Sequence, residues 1–215
     1  LVLCNPNNPT STAISRKEMR RILDRAMQYG ISVMVDETYE EFTDAGSKIS
    51  SIPLTNNYNN LIVLRGISKF FAAPGLRLGY AVTGNPDLLK YINTRKNPWT
   101  INSLAEIAGC IMFSDKEYIE KTRALITSER NRLYQLLHTW KHVKVYPSCS
   151  NFLLVKILRE DVTSEMVFEH CIRKGLMIRD CSTFPFLDSS FIRFCVMSPE
   201  KNDELVEALR ELDLF

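Results

Sequence analysis

Short apolar runs rich in β-branched residues recur through the first part of the chain and constrain its fold more than any other feature. Residues 1–4, 31–35 and 61–64 are such runs, and residues 78–82 are predicted as a fourth. A helical pattern lies between the first two, and strands that alternate with helices are typical of parallel sheets buried on both faces. The N-terminal part is therefore predicted to be α/β, with a mostly parallel sheet.

The helix between the first two runs has clear signals at both ends. Ser15 and Glu18 form a capping box, and Gly30 is placed as the C-terminal stop. Between them, five apolar residues recur at helical spacing and are predicted to face the sheet: Met19, Ile22, Leu23, Ala26 and Met27.

The second part of the chain is more helical. Helices are predicted at 102–113, at 119–140, before Gly175 and after Ser198, and strands at 143–146, 152–157, 177–179 and 191–196. This pattern indicates a small α+β domain at residues 119–215, which follows a larger domain at residues 1–118.

The composition narrows the class of partner. The chain has 215 residues and a formal net charge of only +2, which gives no reason to expect nucleic acid or a membrane surface as partner. Its six cysteines have no CxxC spacing, and most lie in apolar runs, so they are predicted to be buried thiols of a reducing compartment. His138 and His142 lack a third ligand, so no metal site is expected. We therefore expect a soluble, cytoplasmic protein.

Polar side chains follow the first three apolar runs. They are Asn8, Asp36 and Lys69, and ligands of open parallel sheets bind outside the carboxyl ends of the strands. Asp36 ends an apolar run, where a carboxylate is costly unless it meets a cation or hydrogen-bond donors. Tyr39 lies three residues on and could point the same way. For Asn8 alone, ordinary Asn-Pro turn chemistry is the better explanation.

The segment around Lys69 contains a second kind of signal. Ser68 and Lys69 are followed by Arg77, which lies between Gly75 and Gly79. A serine and an arginine are donors suited to an anion, and a lysine is a potential amine nucleophile. The alternative is a plain surface loop, but this grouping favours a functional site.

Three strings of sequence occur in order and at regular intervals. They are NPNNPT at 5–10, VDETY at 35–39, and SK at 68–69 followed by GLRLG at 75–79. Together they resemble the class I/II aminotransferases, which are pyridoxal-phosphate (PLP) enzymes of fold type I. The resemblance covers nearly the whole chain. It implies PLP as cofactor, part of a large α/β domain joined to a small α+β C-terminal domain, and a homodimer.

The resemblance gives roles to residues in these strings. Lys69 would hold the cofactor as a Schiff base and then act as the base at the substrate α-carbon. Asp36 would pair with the protonated ring nitrogen, while Asn8 and Tyr39 would donate hydrogen bonds to the ring oxygen. Thr38 is expected to lie against a face of the ring. The expected catalytic residues are thus Lys69, Asp36 and Tyr39.

Two anion sites are implied as well. Ser68 and Arg77 would hold the cofactor phosphate, because a planar guanidinium suits its oxygens. Arg193 is a single arginine in an otherwise apolar strand, and its surroundings alone are equally compatible with an edge strand whose charge reaches water. The resemblance favours a grip on the substrate α-carboxylate, and Arg179 resembles a second pocket arginine.

The chain departs from the family pattern in two residues and in length. Gly66 stands where members usually carry a Ser or Thr that contacts the phosphate. Ser11 stands where a Gly is usual, so its φ is expected to stay negative. Members also have a substantial region before the first strand, so the chain is expected to be cut from something longer. The alternative to an enzyme is then a non-catalytic remnant of one.

Within the family, residues 69–77, 97–102, 178–182 and 188–193 lean toward L-threonine-O-3-phosphate decarboxylase of cobalamin biosynthesis, with histidinol-phosphate aminotransferase as the alternative. The expected substrate is a small amino acid, with or without a phosphate. The sequence does not separate the two reactions, because the bond held perpendicular to the ring is the one that breaks. A simple nucleotide-binding domain lacks support, since no glycine-rich fingerprint follows any strand.

Overall fold

The computed structural model describes residues 1–44 and 47–215. The chain forms two compact units. The first comprises Leu1–Asn7 and Ala13–Thr122, and the second comprises Asn8–Thr12 and Arg123–Phe215. The short segment that carries Asn8 therefore belongs to the second unit, although the residues on either side of it in sequence belong to the first.

A four-stranded sheet lies in the described part of the first unit, in the order β1-β2-β3-β4. The strands are β1 (Val2–Cys4), β2 (Val33–Asp36), β3 (Leu61–Gly66) and β4 (Gly79–Thr83). The first three are mutually parallel, and β4 runs antiparallel to β3. The prediction of an α/β fold with a mostly parallel sheet is confirmed.

The core of this sheet lies at β2 and β3, where Val33, Val35, Leu61 and Val63 are inaccessible to solvent. The prediction that the first apolar run is buried was wrong, because Val2 is 70% exposed. β1 is an edge strand with a hydrogen-bonded neighbour on one side only, so its apolar side chains are not covered as those of a central strand are.

Three helices follow or separate these strands: α1 (Arg16–Gln28), α2 (Pro86–Arg95) and α3 (Ser103–Ser114). The capping box of α1 is confirmed, because Ser15 Oγ accepts from the Glu18 N–H (3.3 Å) and the Glu18 carboxylate accepts from the Ser15 N–H (2.8 Å). The apolar stripe of α1 is narrower than predicted. Met19, Leu23 and Ala26 are buried, whereas Met27 is exposed, because a single row at i, i+4 and i+7 faces the sheet.

Helix α2 was missed by the sequence reasoning, although its start signals are present. Asn85 caps it by accepting from the Leu88 N–H (3.0 Å), and Pro86 occupies its first position. Leu88 and Ile92 stand one helical turn apart, but no residue of α2 is buried, so this helix has no apolar face packed into a core.

The second unit contains an antiparallel sheet in the order β5-β6-β8-β7, with most of α4 (Lys116–His138), α5 (Ser164–Arg173) and α6 (Pro199–Arg210). The strands are β5 (Val143–Val145), β6 (Phe152–Ile157), β7 (Arg179–Asp180) and β8 (Phe191–Cys195). Side chains alternate between the faces of a strand. Ile192 and Phe194 are buried on one face of β8, so Arg193 lies on the other.

The cysteines divide by position. Cys171 and Cys181 are buried, and burial raises the pKa of each thiol to about 11. The prediction of buried thiols was wrong for Cys110 and Cys195, which are exposed. Cys195 shares its face of β8 with Arg193, away from the apolar core, which explains its exposure.

Within the described part of the chain, every helix falls short of the length or the apolar character that a membrane crossing needs.

Candidate functional site

Asp36 is the last residue of β2, at the carboxyl end of the parallel strands. Its Oδ1 accepts hydrogen bonds from the Thr38 N–H (2.9 Å) and from the Thr38 hydroxyl (2.5 Å). These donors satisfy Oδ1 of the carboxylate that ends an apolar strand, in agreement with the cost of burying an unpaired carboxylate. The carboxylate is thereby fixed in orientation by a residue only two positions away.

A cavity of about 260 Å³ lies beside this carboxylate, at the ends of β2, β3 and β4. Its walls are formed by Asp36, Thr38, Leu64, Arg65, Gly66, Ser68, Pro74, Arg77, Leu78 and Gly79. The cavity brings together four residues to which the sequence analysis gave a role, namely Asp36, Thr38, Ser68 and Arg77. It therefore presents a carboxylate, a hydroxyl and a guanidinium to one space, which is a donor and acceptor set suited to a charged ligand.

Arg77 reaches this cavity from an unusual backbone conformation. It follows the single 3₁₀ turn Pro74–Leu76 with a φ of 55° and a ψ of 44°, in the left-handed region. Its Nη1 donates to the Pro74 carbonyl (3.0 Å), which turns the guanidinium back over its own loop. One hydrogen bond uses only part of a group with five N–H donors, so the rest of the guanidinium can serve an anion.

Lys69 lies in the turn that follows β3, directly after the cavity residue Ser68, and its side chain is exposed. The turn is closed by the Ala72 N–H, which donates to the Lys69 carbonyl (3.1 Å). Ile67 and Phe70, on either side of the pair Ser68 and Lys69, are buried and anchor the turn. The exposed Lys69 side chain is thus carried on a backbone that is anchored beside the cavity.

Tyr39 is 8% exposed and precedes the single 3₁₀ turn Glu40–Phe42. It is not among the residues that form the walls of the 260 Å³ cavity. Tyr39 is therefore a close sequence neighbour of Asp36 and Thr38, but its side chain does not line the cavity that Asp36 shares with Arg77.

In the second unit, Arg193 lies on β8 and meets Asn8. Arg193 Nη1 donates to Asn8 Oδ1, and its guanidinium carbon lies 4.9 Å from the centre of the Phe152 ring. The Arg193 Nε is buried without a hydrogen-bond partner in the described part of the chain. β8 is an interior strand between β6 and β7, so the alternative of an edge strand with its charge in water was wrong for Arg193.

Arg179 stands directly across from Arg193 in the β7–β8 pair. Both line a cavity of about 680 Å³ whose other walls include Glu165, Phe168 and Asp180. Arg179 Nη2 donates to Thr183 Oγ1 (3.2 Å). Like charges at facing positions repel, so two guanidinium groups here favour an anion between or beside them.

Ser11 adopts a φ of 56°, so the expectation of a negative φ was wrong. The hydroxyl accepts hydrogen bonds from the Cys149 N–H (3.1 Å) and the Ser150 N–H (3.0 Å), and lies 2.8 Å from Ser148 Oγ. These bonds offset the strain of the left-handed conformation, and a glycine could not make them.

Gly66 lies opposite Gly79 in the antiparallel β3–β4 pair. A Cβ added to Gly66 would lie 3.3 Å from the Leu78 carbonyl oxygen, closer than ordinary van der Waals contact. The backbone of this chain approaches itself closely here, so the absence of a side chain at Gly66 has a local steric reason.

The sequence reasoning missed Arg65, the second-last residue of β3. It lines the 260 Å³ cavity and forms ion pairs with Glu37, Glu40 and Glu41, at 2.8, 2.8 and 2.6 Å. Burial alone would lower the pKa of the Arg65 guanidinium, but the carboxylates outweigh it and hold this pKa above its ordinary value. Three glutamates within five positions of Asp36 were the available signal.

The sequence profile described as "Aminotransferase class I and II" matches residues 1–209. The chain belongs to the class I and II aminotransferase family. The resemblance predicted from the three strings is confirmed, and so is the fold type I architecture of the PLP-dependent members.

Relatives of this aminotransferase-family chain carry two kinds of name. It is 40% identical over 212 residues to a protein of Caldanaerobacter subterraneus subsp. tengcongensis provisionally named a threonine-phosphate decarboxylase, and 40% identical over 210 residues to the histidinol-phosphate aminotransferase of Thermoanaerobacter pseudethanolicus. These matches cover 99% and 98% of the chain, but 57% and 56% of the relatives.

Among solved structures, the histidinol-phosphate aminotransferase of Clostridium acetobutylicum matches with a TM-score of 0.92 and 31% identity, over 99% of this chain and 63% of that one. The chain thus spans somewhat more than half the length of the relatives it matches.

Proposed function

We propose that the chain carries the cofactor and substrate sites of a PLP-dependent enzyme acting on a small, phosphorylated amino acid. The leading reaction is decarboxylation of threonine phosphate, and the second candidate is transamination of the histidinol-phosphate type. The cavity that Asp36 shares with Ser68 and Arg77, next to Lys69, carries the proposal. The names of the relatives support both reactions.

The cavity fits PLP by its chemistry. PLP has a phosphate on one side of its ring and a basic ring nitrogen, and the cavity offers Arg77 and Ser68 for the first and Asp36 for the second. When bound, PLP supplies an electron sink for charge that develops at the substrate α-carbon. The opposite charges of Arg77 and Asp36 would fix which way round the cofactor lies.

Lys69 and Asp36 would do the chemistry that belongs to the chain. The Lys69 amine would bind the cofactor and then carry a proton to or from the substrate α-carbon. Both hydrogen bonds from Thr38 go to Oδ1 of Asp36, so Oδ2 is left for the ring nitrogen. A carboxylate in this position favours the protonated nitrogen.

The second unit would bind the substrate. Arg193 is oriented by Asn8 and by the Phe152 ring, and Arg179 by Thr183. The two guanidinium groups match the two anionic groups of a phosphorylated amino acid. Because Asn8 Oδ1 accepts from Arg193, the amide N–H groups of Asn8 remain as donors for a ligand. The orientation in which Arg193 and Arg179 hold the substrate would decide between decarboxylation, which breaks the bond from the α-carbon to the carboxylate, and transamination, which breaks the α-C–H bond.

Titration with PLP tests this proposal. We expect the 215-residue chain to gain visible absorption, Lys69→Ala to gain none, and Lys96→Ala, a change at an exposed lysine after α2, to behave like the unaltered chain. Threonine phosphate should then release CO₂. A keto acid without CO₂ would favour the aminotransferase, and an unaltered chain that binds no PLP would favour the non-catalytic remnant.

We also propose a cytoplasmic location and a homodimer. All six cysteines are free, which fits a reducing compartment. Leu104, Ile107 and Ile111 are exposed on α3, an apolar surface that a second copy could cover. Sedimentation of the purified chain tests the second part, since a monomer at all concentrations would contradict it.

A further inference from the structure

Arg65 gathers three carboxylates at the carboxyl end of β3. Its Nη2 lies 2.8 Å from an oxygen of Glu37 and 2.8 Å from one of Glu40, and its Nη1 lies 2.6 Å from Glu41. Only 11% of the Arg65 side chain is exposed, and none of the Glu37 side chain. Charges so far removed from water interact more strongly than surface charges, so this cluster differs from an ordinary surface ion pair.

All three carboxylates belong to residues 37–41, the stretch that begins directly after Asp36. The Glu37 N–H still donates to β3 (2.9 Å), and Tyr39 then leads into a single 3₁₀ turn. Thr38, which holds the Asp36 carboxylate, lies inside the same stretch. One guanidinium on β3 thus holds both ends of the turn that carries the predicted cofactor contacts.

The hydrogen bonds of Arg65 leave little of it for a ligand. Nε and Nη2 both donate to Glu37 (3.1 and 2.8 Å), Nη2 also donates to Ser50 Oγ (2.9 Å), and Nη1 donates to Glu41 (2.6 Å). An arginine has five N–H donors in total. Although Arg65 lines the cavity, these hydrogen bonds direct most of its donors at Glu37, Glu41 and Ser50.

We propose that Arg65 is a positioning residue whose ion pairs with Glu37, Glu40 and Glu41 fix the turn that carries Thr38, and with it the orientation of the Asp36 carboxylate. Without the guanidinium, three carboxylates of like charge would repel one another, and the buried Glu37 would lose its cation. The consequence for cofactor binding rests on the proposed function, whereas the fixed turn does not.

Amide hydrogen exchange of the chain without PLP tests the turn, and PLP titration tests its consequence. Lysine keeps the positive charge of Arg65 but lacks the planar guanidinium that bonds several carboxylates at once. We therefore expect Arg65→Lys to raise the exchange rate of the Thr38 amide about tenfold and to weaken PLP binding by a similar factor. Glu41→Gln should have the same effects at a few-fold. Glu117→Gln removes an exposed ion pair with Lys121 and serves as the matched control, with no change.

Each outcome decides the inference. Unchanged Thr38 exchange in Arg65→Lys would overturn it, whether or not the unaltered chain binds PLP. Equal acceleration at Leu61 and Val63, in the core of the sheet, would show general loss of stability and would also overturn it. Inorganic phosphate should compete with PLP equally well in the unaltered chain and in Arg65→Lys. Weaker competition in Arg65→Lys would mean that Arg65 binds phosphate directly, which would also overturn the inference. If Arg65→Lys does not fold, Glu41→Gln carries the same test.

Discussion

Replacement of Ser11 gives a stability change that can be worked out from the structure. The Ser11 hydroxyl accepts hydrogen bonds from the Cys149 and Ser150 N–H groups, while the Ser11 backbone adopts a strained, left-handed conformation with a φ of 56°. Ser11→Ala removes the acceptor and keeps the strain. Ser11→Gly removes both, so the pair of variants separates the two contributions.

The expected loss of stability depends on the hydrogen bonds that the Cys149 and Ser150 N–H groups lose when Ser11 Oγ is removed. Ser150 N–H keeps a second acceptor, Ser148 Oγ at 3.2 Å, so its loss is small. The Cys149 N–H, on a half-buried residue, donates to Ser11 Oγ, and a hydrogen bond of this kind contributes about 0.5–1.5 kcal/mol. With the smaller loss at Ser150, we expect Ser11→Ala to lower the free energy of unfolding by about 1.5 kcal/mol. Ser11→Gly should lower it by about 0.5 kcal/mol, because glycine avoids a left-handed penalty of about 1 kcal/mol.

Urea unfolding followed by circular dichroism measures both variants. For a chain of this size, a difference of about 1 kcal/mol corresponds to about 2–4 °C in melting temperature, so thermal unfolding provides a check. If Ser11→Gly were as destabilised as Ser11→Ala, the strain would contribute nothing. If Ser11→Ala were as stable as the unaltered chain, the hydrogen bonds would contribute nothing, and the account of Ser11 would be wrong.

Three further outcomes are expected. Hydrogen bonds from Arg132 hold the pKa of Glu129 below its ordinary value, so the ionised carboxylate stabilises the fold above about pH 4. Glu129→Gln should therefore lower the free energy of unfolding at pH 7. In acid unfolding, the difference between the variant and the unaltered chain should disappear as the pH falls below about 4. The thiol of Cys181, with a pKa of about 11, should react with a thiol reagent at pH 8 far more slowly than the exposed Cys195, and equal rates would contradict its burial. Gly66→Ser should cost about 1 kcal/mol of stability through its close backbone approach, and a more stable variant would contradict that contact.

Much of the fold could be predicted from local pattern. The capping box of Ser15 and Glu18, the buried strands at β2 and β3, and the Ser198 cap of α6 were all readable because each is encoded by neighbours in sequence. The solvent exposure of apolar side chains was harder to predict from the sequence. Val2 and Met27 are apolar, but their burial depends on which partner covers them, and that is a property of the assembled sheet and not of the pattern.

The same division applies to the site. Asp36 was found because it ends an apolar strand at the carboxyl edge of the sheet, and Ser68 and Arg77 because they are donors grouped around Lys69 in the segment between β3 and β4. Arg65 was missed because its partners are 24 to 28 positions away in sequence and its role appears only when β2 and β3 are paired. The contact of Arg193 with Asn8 spans 185 positions and was not predicted for the same reason.

The central claim is that Lys69 is the point at which this chain binds PLP. Reduction of the PLP-treated chain with borohydride, followed by protease digestion and mass spectrometry, locates the covalently bound cofactor directly. The account predicts one modified peptide, with the added mass on Lys69, and no modification at Lys90 or Lys96 on the exposed surface of the same unit. Modification spread evenly over surface lysines, or an unmodified Lys69, would contradict it.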